Sequence, residues 1–333
     1  MNPAAPGPKD AKPQQLLRAL LGDFWHWREE HLPSAALVEL LGDFDVTPAG
    51  ARSALRRLAA RGLLTVERNG RTTAYGIPRR SAAVIVEHAY RMLSFGASAP
   101  SWDGLWTVVV FSVPERERSL RSELRSRLRV LRFAPLYDGV WVTPHDRVEG
   151  VSDALDELGT TTATVLRSTE AGGTERLQRA FDLAPYTRRY REFAEHYEPL
   201  LERAEAGRVD PAEALRVRTV VGARWRRFEE TDPDLPAELL PADWERDRAY
   251  QVFLGIYERL GTLAELRFRQ VVGRISPDLA ELSARHRLAG ITELYESLAE
   301  HPSGDTPFER AADARRLRDA ENGSPRHSDE HHR

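Results

Sequence analysis

Cysteine is absent from the 333 residues. That absence removes disulfides, thiolate catalysis and cysteine-ligated zinc together. Lysine is nearly absent: 46 of the 48 basic residues are arginine. With abundant alanine, this reads first as the product of a GC-rich genome. It reads second as use of the guanidinium fork, which meets phosphate oxygens two at a time. No apolar run is long enough to span a membrane and no signal peptide opens the chain, so a cytoplasmic protein with no membrane partner is expected. No glycine-rich phosphate loop follows a strand, and neither GxSxG nor HExxH occurs. His327, His331 and His332 sit in a polar terminal stretch that reads as a solvated tail, so no metal and no cofactor is expected.

What is present is a local excess of positive charge. Residues 47–80 hold eight arginines (Arg52, Arg56, Arg57, Arg61, Arg68, Arg71, Arg79 and Arg80) and one acid, Glu67. That is +7 in a chain of formal net charge −3, so the remainder carries −10. Thr47 suits a helix N-cap and Pro48 a first helical position. At about 100° per residue, Ala51, Ala54, Leu55, Leu58 and Gly62 share one face, and Ala49, Ser53 and Arg56, flanked by Arg52 and Arg57, share the other. Gly62 stops the helix, and Asn69-Gly70 predicts a two-residue hairpin turn. Two amphipathic segments precede it: PQQLLRALLGDFWHWREE, and PSAALVELLGDF with Ser34 as its cap. His26, between Trp25 and Trp27, reads as a helix-surface residue. Isolated arginines on an exposed helix are ordinarily just solvated. Helix, helix, basic helix and basic hairpin in this order instead predict a winged helix-turn-helix, with the basic helix in the major groove of double-stranded DNA. The predicted DNA contacts are Thr47, Ala49, Arg52, Ser53, Arg56, Arg57, Arg68, Asn69, Arg71 and Thr72.

The expected fold class is multidomain α+β. Residues 1–13 read as disordered, 14–78 as the winged helix, and 79–101 as a linking helix and loop. From Gly104, the strand LWTVVVFSVP, a charged helix, a strand pair around Asp138-Gly139, a second helix and the strand TTATVLRST give the order β-α-β-β-α-β. That order predicts a ferredoxin-like α/β sandwich over 102–170. Residues 174–300 read as a mostly helical effector and dimer domain, and 301–333 as a disordered tail.

Three segments carry a resemblance: the N-terminal basic module, SWDGLWTVVVFSVPERERSLRSELRSRLRVLRFAPLYDGVWVTP, and RWRRFEETDPDLPAELLPADW. Over roughly residues 14–260 the chain resembles the PaaX family, repressors of phenylacetate-degradation operons and their relatives. The resemblance implies a dimeric repressor released by an aryl- or acyl-CoA effector such as phenylacetyl-CoA; since a winged-helix module reads a short half-site, a homodimer on an inverted-repeat operator, without enzymatic activity, is expected. The pattern departs after Trp244, where Pro-Gly is expected and Glu245-Arg246 stands. An acyl-CoA needs cations for its phosphates and an apolar slot for its acyl group. Arg188, Arg189, Tyr190, Arg224, Trp225 and Arg226 are the residues predicted to supply them.

Two alternatives stand beside this reading. The central segment also resembles the small ferredoxin-like endonuclease subunit of CRISPR spacer acquisition, which implies a metal-dependent nuclease. Its metal-binding aspartate at the end of the first strand corresponds here to Ser112, a poor ligand for a hard cation. The other alternative is a DNA-binding protein that responds to no effector.

Overall fold

The computed structural model describes residues 12–26, 28–159, 162–169 and 175–300. The segments read as disordered, 1–13 and 301–333, therefore lie outside the described residues, except for Lys12, a helix N-cap, and Pro13, the first residue of that helix. In chain order the elements are α1 (Pro13–Phe24), β1 (Leu32–Pro33), α2 (Ser34–Gly42), α3 (Pro48–Ala60), β2 (Thr65–Asn69), β3 (Thr72–Gly76) and α4 (Ala82–Ser94). Then come β4 (Trp106–Phe111), α5 (Arg118–Val130), β5 (Ala134–Tyr137), β6 (Val140–Thr143), α6 (Val148–Glu157) and β7 (Ala163–Ser168). The remainder is helical: α7 (Glu175–Gln178), α8 (Ala184–Glu205), α9 (Pro211–Thr231), α10 (Arg246–Arg259), α11 (Gly261–Gly273), α12 (Pro277–Ala280) and α13 (Leu288–Glu300). Among the described residues no helix is long and apolar enough to cross a membrane.

Two compact units emerge. The first takes residues up to 93, 207–223 and 257 onward; the second takes 94–206 and 224–256. The stretch expected as one C-terminal helical domain is thus divided between them. Apolar periodicity marks which face of a helix will be buried, but not which partner will bury it.

In the first unit, α1, α2 and α3 enclose Leu16, Leu17, Leu20, Leu37, Leu40, Leu41, Ala51, Leu55 and Leu58, all buried at helical spacing. A three-stranded antiparallel sheet in the order β1-β3-β2 follows, with Leu32 opposite Tyr75 and Tyr75 opposite Val66. Its hairpin turn is one residue later than expected. Asn69 still pairs with Thr72, so the loop residues are Gly70 and Arg71. Only Gly70 has positive φ, at 59°, the arrangement in which glycine takes the first central position.

Two further expectations shift here. Ser34 is the first helical residue of α2 rather than its cap, because Leu32–Pro33 are drawn into β1. Helix α1 stops at Phe24 instead of running to Glu30. The reason is tertiary: Phe24 stacks on Phe268 at 5.1 Å, and Trp25 turns inward and donates its Nε1 hydrogen to the Glu30 carbonyl at 2.8 Å. His26 is no surface residue; it is buried and stacked 3.8 Å from His286.

Charge ties the same segments together. Arg218 of α9 is fully buried. It donates to both carboxylate oxygens of Asp23 (2.8 and 3.0 Å) and to the carbonyls of Tyr257 and His286. Burial alone would raise the Asp23 carboxyl, but Arg218 outweighs it and holds that carboxyl below the usual carboxylate range.

The second unit is built on a four-stranded antiparallel sheet in the order β5-β6-β4-β7. Alternation along WTVVVF sends Val109 and Phe111 to one face and Trp106 and Val108 to the other. On the first face, α5 and α6 bring Leu124, Leu128, Val151 and Leu155 against Trp141. On the second, Phe181, Leu235 and Leu239 cover Trp106 and Val142. Parts of α8, α9 and α10 close around Trp225, which stacks on Phe253 at 4.9 Å and donates its Nε1 hydrogen to the Phe95 carbonyl at 3.2 Å.

The DPDLP segment has a structural role in this unit. Asp234, at φ 54°, binds Arg246 at 2.8 Å and Arg132 at 3.1 Å, while Asp232 accepts the Tyr190 hydroxyl at 2.6 Å. Arg246, the departure after Trp244, is buried, and those acids neutralise it.

Candidate nucleic-acid interface

Helix α3 begins as its sequence prescribes: the Thr47 hydroxyl accepts the Gly50 N–H at 3.2 Å, and Pro48 is the first helical residue. Burial of Ala51, Ala54, Leu55 and Leu58 fixes its rotation. Ala49, Arg52, Arg56 and Arg57 are therefore exposed together, and Ser53 is half-buried at their edge. On the β2–β3 hairpin, Arg68, Asn69, Gly70, Arg71 and Thr72 are all exposed. The hairpin is braced by the Thr72 hydroxyl donating to the Asn69 carbonyl at 2.8 Å.

The eight arginines divide by what they touch. Arg79 pairs with Glu29 at 3.6 Å and Arg80 donates to the Gly62 carbonyl at 3.2 Å. Arg52, Arg56, Arg57, Arg61, Arg68 and Arg71 form no ion pair among the described residues. The local acid, Glu67, lies 3.7 Å from His31 and accepts from Asn69 at 3.4 Å. Arg61, at the end of α3, belongs with the exposed set although the predicted contacts omit it.

The other arginine-rich helix behaves differently. On α5, Arg121 and Arg125 hold Asp138, Arg127 bridges Glu123 and Glu157, and Arg129 lies over the Trp141 ring at 5.3 Å. Composition marks both helices as basic, but the exposed, uncompensated charge is concentrated on α3 and its hairpin. Such charge attracts a polyanion and displaces its counterions.

The nuclease positions offer little to a metal. Ser112 is exposed just beyond β4, Asp103 is bound by Arg167, and Asp138 by Arg125. Among the described residues no group of three or more His, Asp or Glu side chains is placed to hold a metal ion.

The predicted effector residues are not brought together. Tyr190 and Trp225 are fully buried core residues whose polar atoms are taken by Asp232 and Phe95. Arg224 lies over the Tyr197 ring at 5.3 Å, Arg189 over Tyr186 at 5.7 Å, and Arg226 is half-buried on α9. Of the six, Arg188 lines a cleft of about 500 Å³ whose other walls come from residues between 178 and 191 and from Pro241 and Asp243. Sequence reasoning missed Arg179, Phe181, Leu183 and Pro241 there, because the lining comes from separate segments.

Comparison with known proteins adds the following. Three family models match in chain order: PaaX-like protein over 12–80, PaaX protein central Cas2-like domain over 99–180, and PaaX-like protein C-terminal domain over 181–270. A curated relative, transcriptional repressor PaaX of Escherichia coli (strain K12), is 25% identical over 258 residues, covering 75% of this chain and 80% of its own. A solved structure, the uncharacterized protein Rv0674 from Mycobacterium tuberculosis, shares the fold with a TM-score of 0.52 at 21% identity. It covers 78% of this chain and 98% of its own.

Proposed function

Because this chain belongs to the PaaX family of transcriptional regulators, we propose that it is a DNA-binding repressor released by a small-molecule effector. The observation that carries the DNA reading is the set of six arginines on α3 and the hairpin with no ion pair among the described residues. In this reading residues 14–78 act as a winged helix-turn-helix. Helix α3 enters the major groove with Arg52, Ser53, Arg56 and Arg57, and the hairpin carries Arg68, Asn69, Arg71 and Thr72 to the flanking backbone. One such module reads a short half-site, so the working form is a homodimer on an inverted repeat. The ferredoxin-like central domain builds that dimer or relays the effector signal. The effector is an aryl- or acyl-CoA thioester that favours the conformation with lower operator affinity. The protein acts in the cytoplasm and is not an enzyme.

Selection from random duplexes, followed by fluorescence anisotropy against salt, tests the DNA part. If Arg56 reads a base and the other five arginines reach phosphates, log Kd changes with log salt by a slope of about 4–5 per protomer. Arg71→Ala lowers that slope by about 1 and weakens all sequences alike. Arg56→Ala costs about 1–3 kcal/mol on the selected sequence and relaxes its specificity. An Arg52→Ala/Arg56→Ala variant that bound the selected duplex as tightly as wild type would refute the assignment of α3.

A further inference from the structure

We propose that the cleft between the start of α8 and the 236–243 connector binds a small anionic amphiphile, its acidic group held by Arg179 and Arg188 and its apolar body lying on Phe181, Leu183 and Pro241. This rests on the effector-responsive reading above and assigns that effector a place. It differs from the residues chosen from sequence, since Tyr190 and Trp225 are in the core.

The chemistry of the lining selects the ligand class. The lining holds three arginines, Arg179, Arg188 and Arg191, and one acid, Asp243. Arg191 is engaged, 3.8 Å from Asp243 and 3.3 Å from Glu245. Arg188 has no ion pair among the described residues. Arg179 has only Glu175 at 3.4 Å, with side chains 76% and 82% exposed, a pair that solvent screens and an incoming anion can exchange. The neutral donors are engaged: Gln178 Nε2 donates to the Leu239 carbonyl at 2.7 Å, and the Thr187 hydroxyl to the Leu183 carbonyl at 3.4 Å. What the cleft has left to offer is two available cations beside an apolar floor. A volume of about 500 Å³ lies within the range of ordinary small-ligand sites.

The cleft also touches the central sheet. Phe181 belongs to its floor and to the cluster on the sheet's second face, 6.3 Å from Trp106 at the start of β4. A ligand seated against Phe181 therefore presses on a side chain that reports directly to β4.

Titration calorimetry on the full chain with phenylacetate, phenylacetyl-CoA and coenzyme A as probes decides the matter. The free acid offers one carboxylate and an aryl group, the thioester phosphates and an aryl group, and coenzyme A phosphates without the aryl group. The expected result is that a probe carrying both anion and aryl group binds. Arg179→Ala and Arg188→Ala should each weaken it about 10-fold or more, as loss of a hydrogen bond to a charged group implies. Arg176→Ala, the same charge change on an exposed residue of α7 outside the lining, should alter affinity less than 2-fold. Whether the acid or the thioester binds identifies the anion's source. Wild-type affinity in both cleft variants, equal loss in Arg176→Ala, or no binding of any probe would overturn the proposal. Operator binding by the wild-type chain without probe is measured alongside. Its presence with a failed cleft removes this inference alone, and its absence removes the repressor reading itself.

Discussion

Replacing Asp23 by alanine removes the counterion of Arg218, which is fully buried. Both carboxylate oxygens bind that guanidinium, at 2.8 and 3.0 Å, and Oδ1 also accepts the Tyr257 hydroxyl at 3.1 Å and the His286 N–H at 3.3 Å. The cation would keep the carbonyls of Tyr257 and His286 but lose its only neutralising charge among those contacts. Leaving a buried charge uncompensated costs about 3–5 kcal/mol. For a unit of this size that corresponds to a fall in Tm of roughly 6–20 °C. Circular dichroism of wild type, Asp23→Ala and an Asp23→Leu/Arg218→Met double variant measures it. The double variant should recover part of the loss, limited by the two carbonyls left without donors.

The pH dependence has a definite sign. The Asp23 carboxyl sits below its unfolded value of 3.8, so its contribution is complete above that value and disappears as pH falls through the lower, folded one. Asp23→Asn should flatten that part of the acid limb. A cost under about 1 kcal/mol for Asp23→Ala would mean that Arg218 is not buried against α1, and the reasoning fails.

Other outcomes follow from the same structure. A fragment ending at residue 100 lacks the segments that bury Phe24 and neutralise Asp23, so it should unfold without the cooperative transition of the intact chain; a sharp transition at the intact Tm would restore an independent N-terminal domain. Burial holds the His145 imidazole below its ordinary pKa, against the raising effect of the Pro233 carbonyl at 3.0 Å. The second unit should therefore be most stable above pH 6.5 and lose stability as pH falls through the lowered value, and His145→Gln should remove that slope in Tm measured between pH 7.5 and 5. The purified protein should leave DNA and RNA intact with Mg²⁺ or Mn²⁺; cleavage that disappeared in Asp103→Asn or Asp138→Asn would establish the nuclease alternative instead.

Local rules made much of the molecule legible. Thr47, Pro48 and the spacing of Ala51, Ala54, Leu55 and Leu58 specify where α3 begins and which face it buries, because capping and helical period depend on neighbours a few residues away. Alternation in WTVVVF and the turn at Asp138-Gly139 likewise carry the β-α-β-β-α-β order. The eight arginines against one acid are visible as composition, but composition could not separate α3 from α5. That distinction came from Asp138 and Glu157, which the fold brings to α5 and not to α3, beside Glu123 within α5 itself. Tertiary packing also decided what lies far apart in sequence: α1 ends at Phe24 because Phe268 receives it, and Arg218 joins the N-terminal helices because Asp23 neutralises it. The cleft gathers Arg179, Arg188 and Pro241 in the same way. An aromatic or charged side chain encodes its need to be buried or paired; its partner is chosen among residues up to hundreds of positions away, and only the packed chain makes that choice.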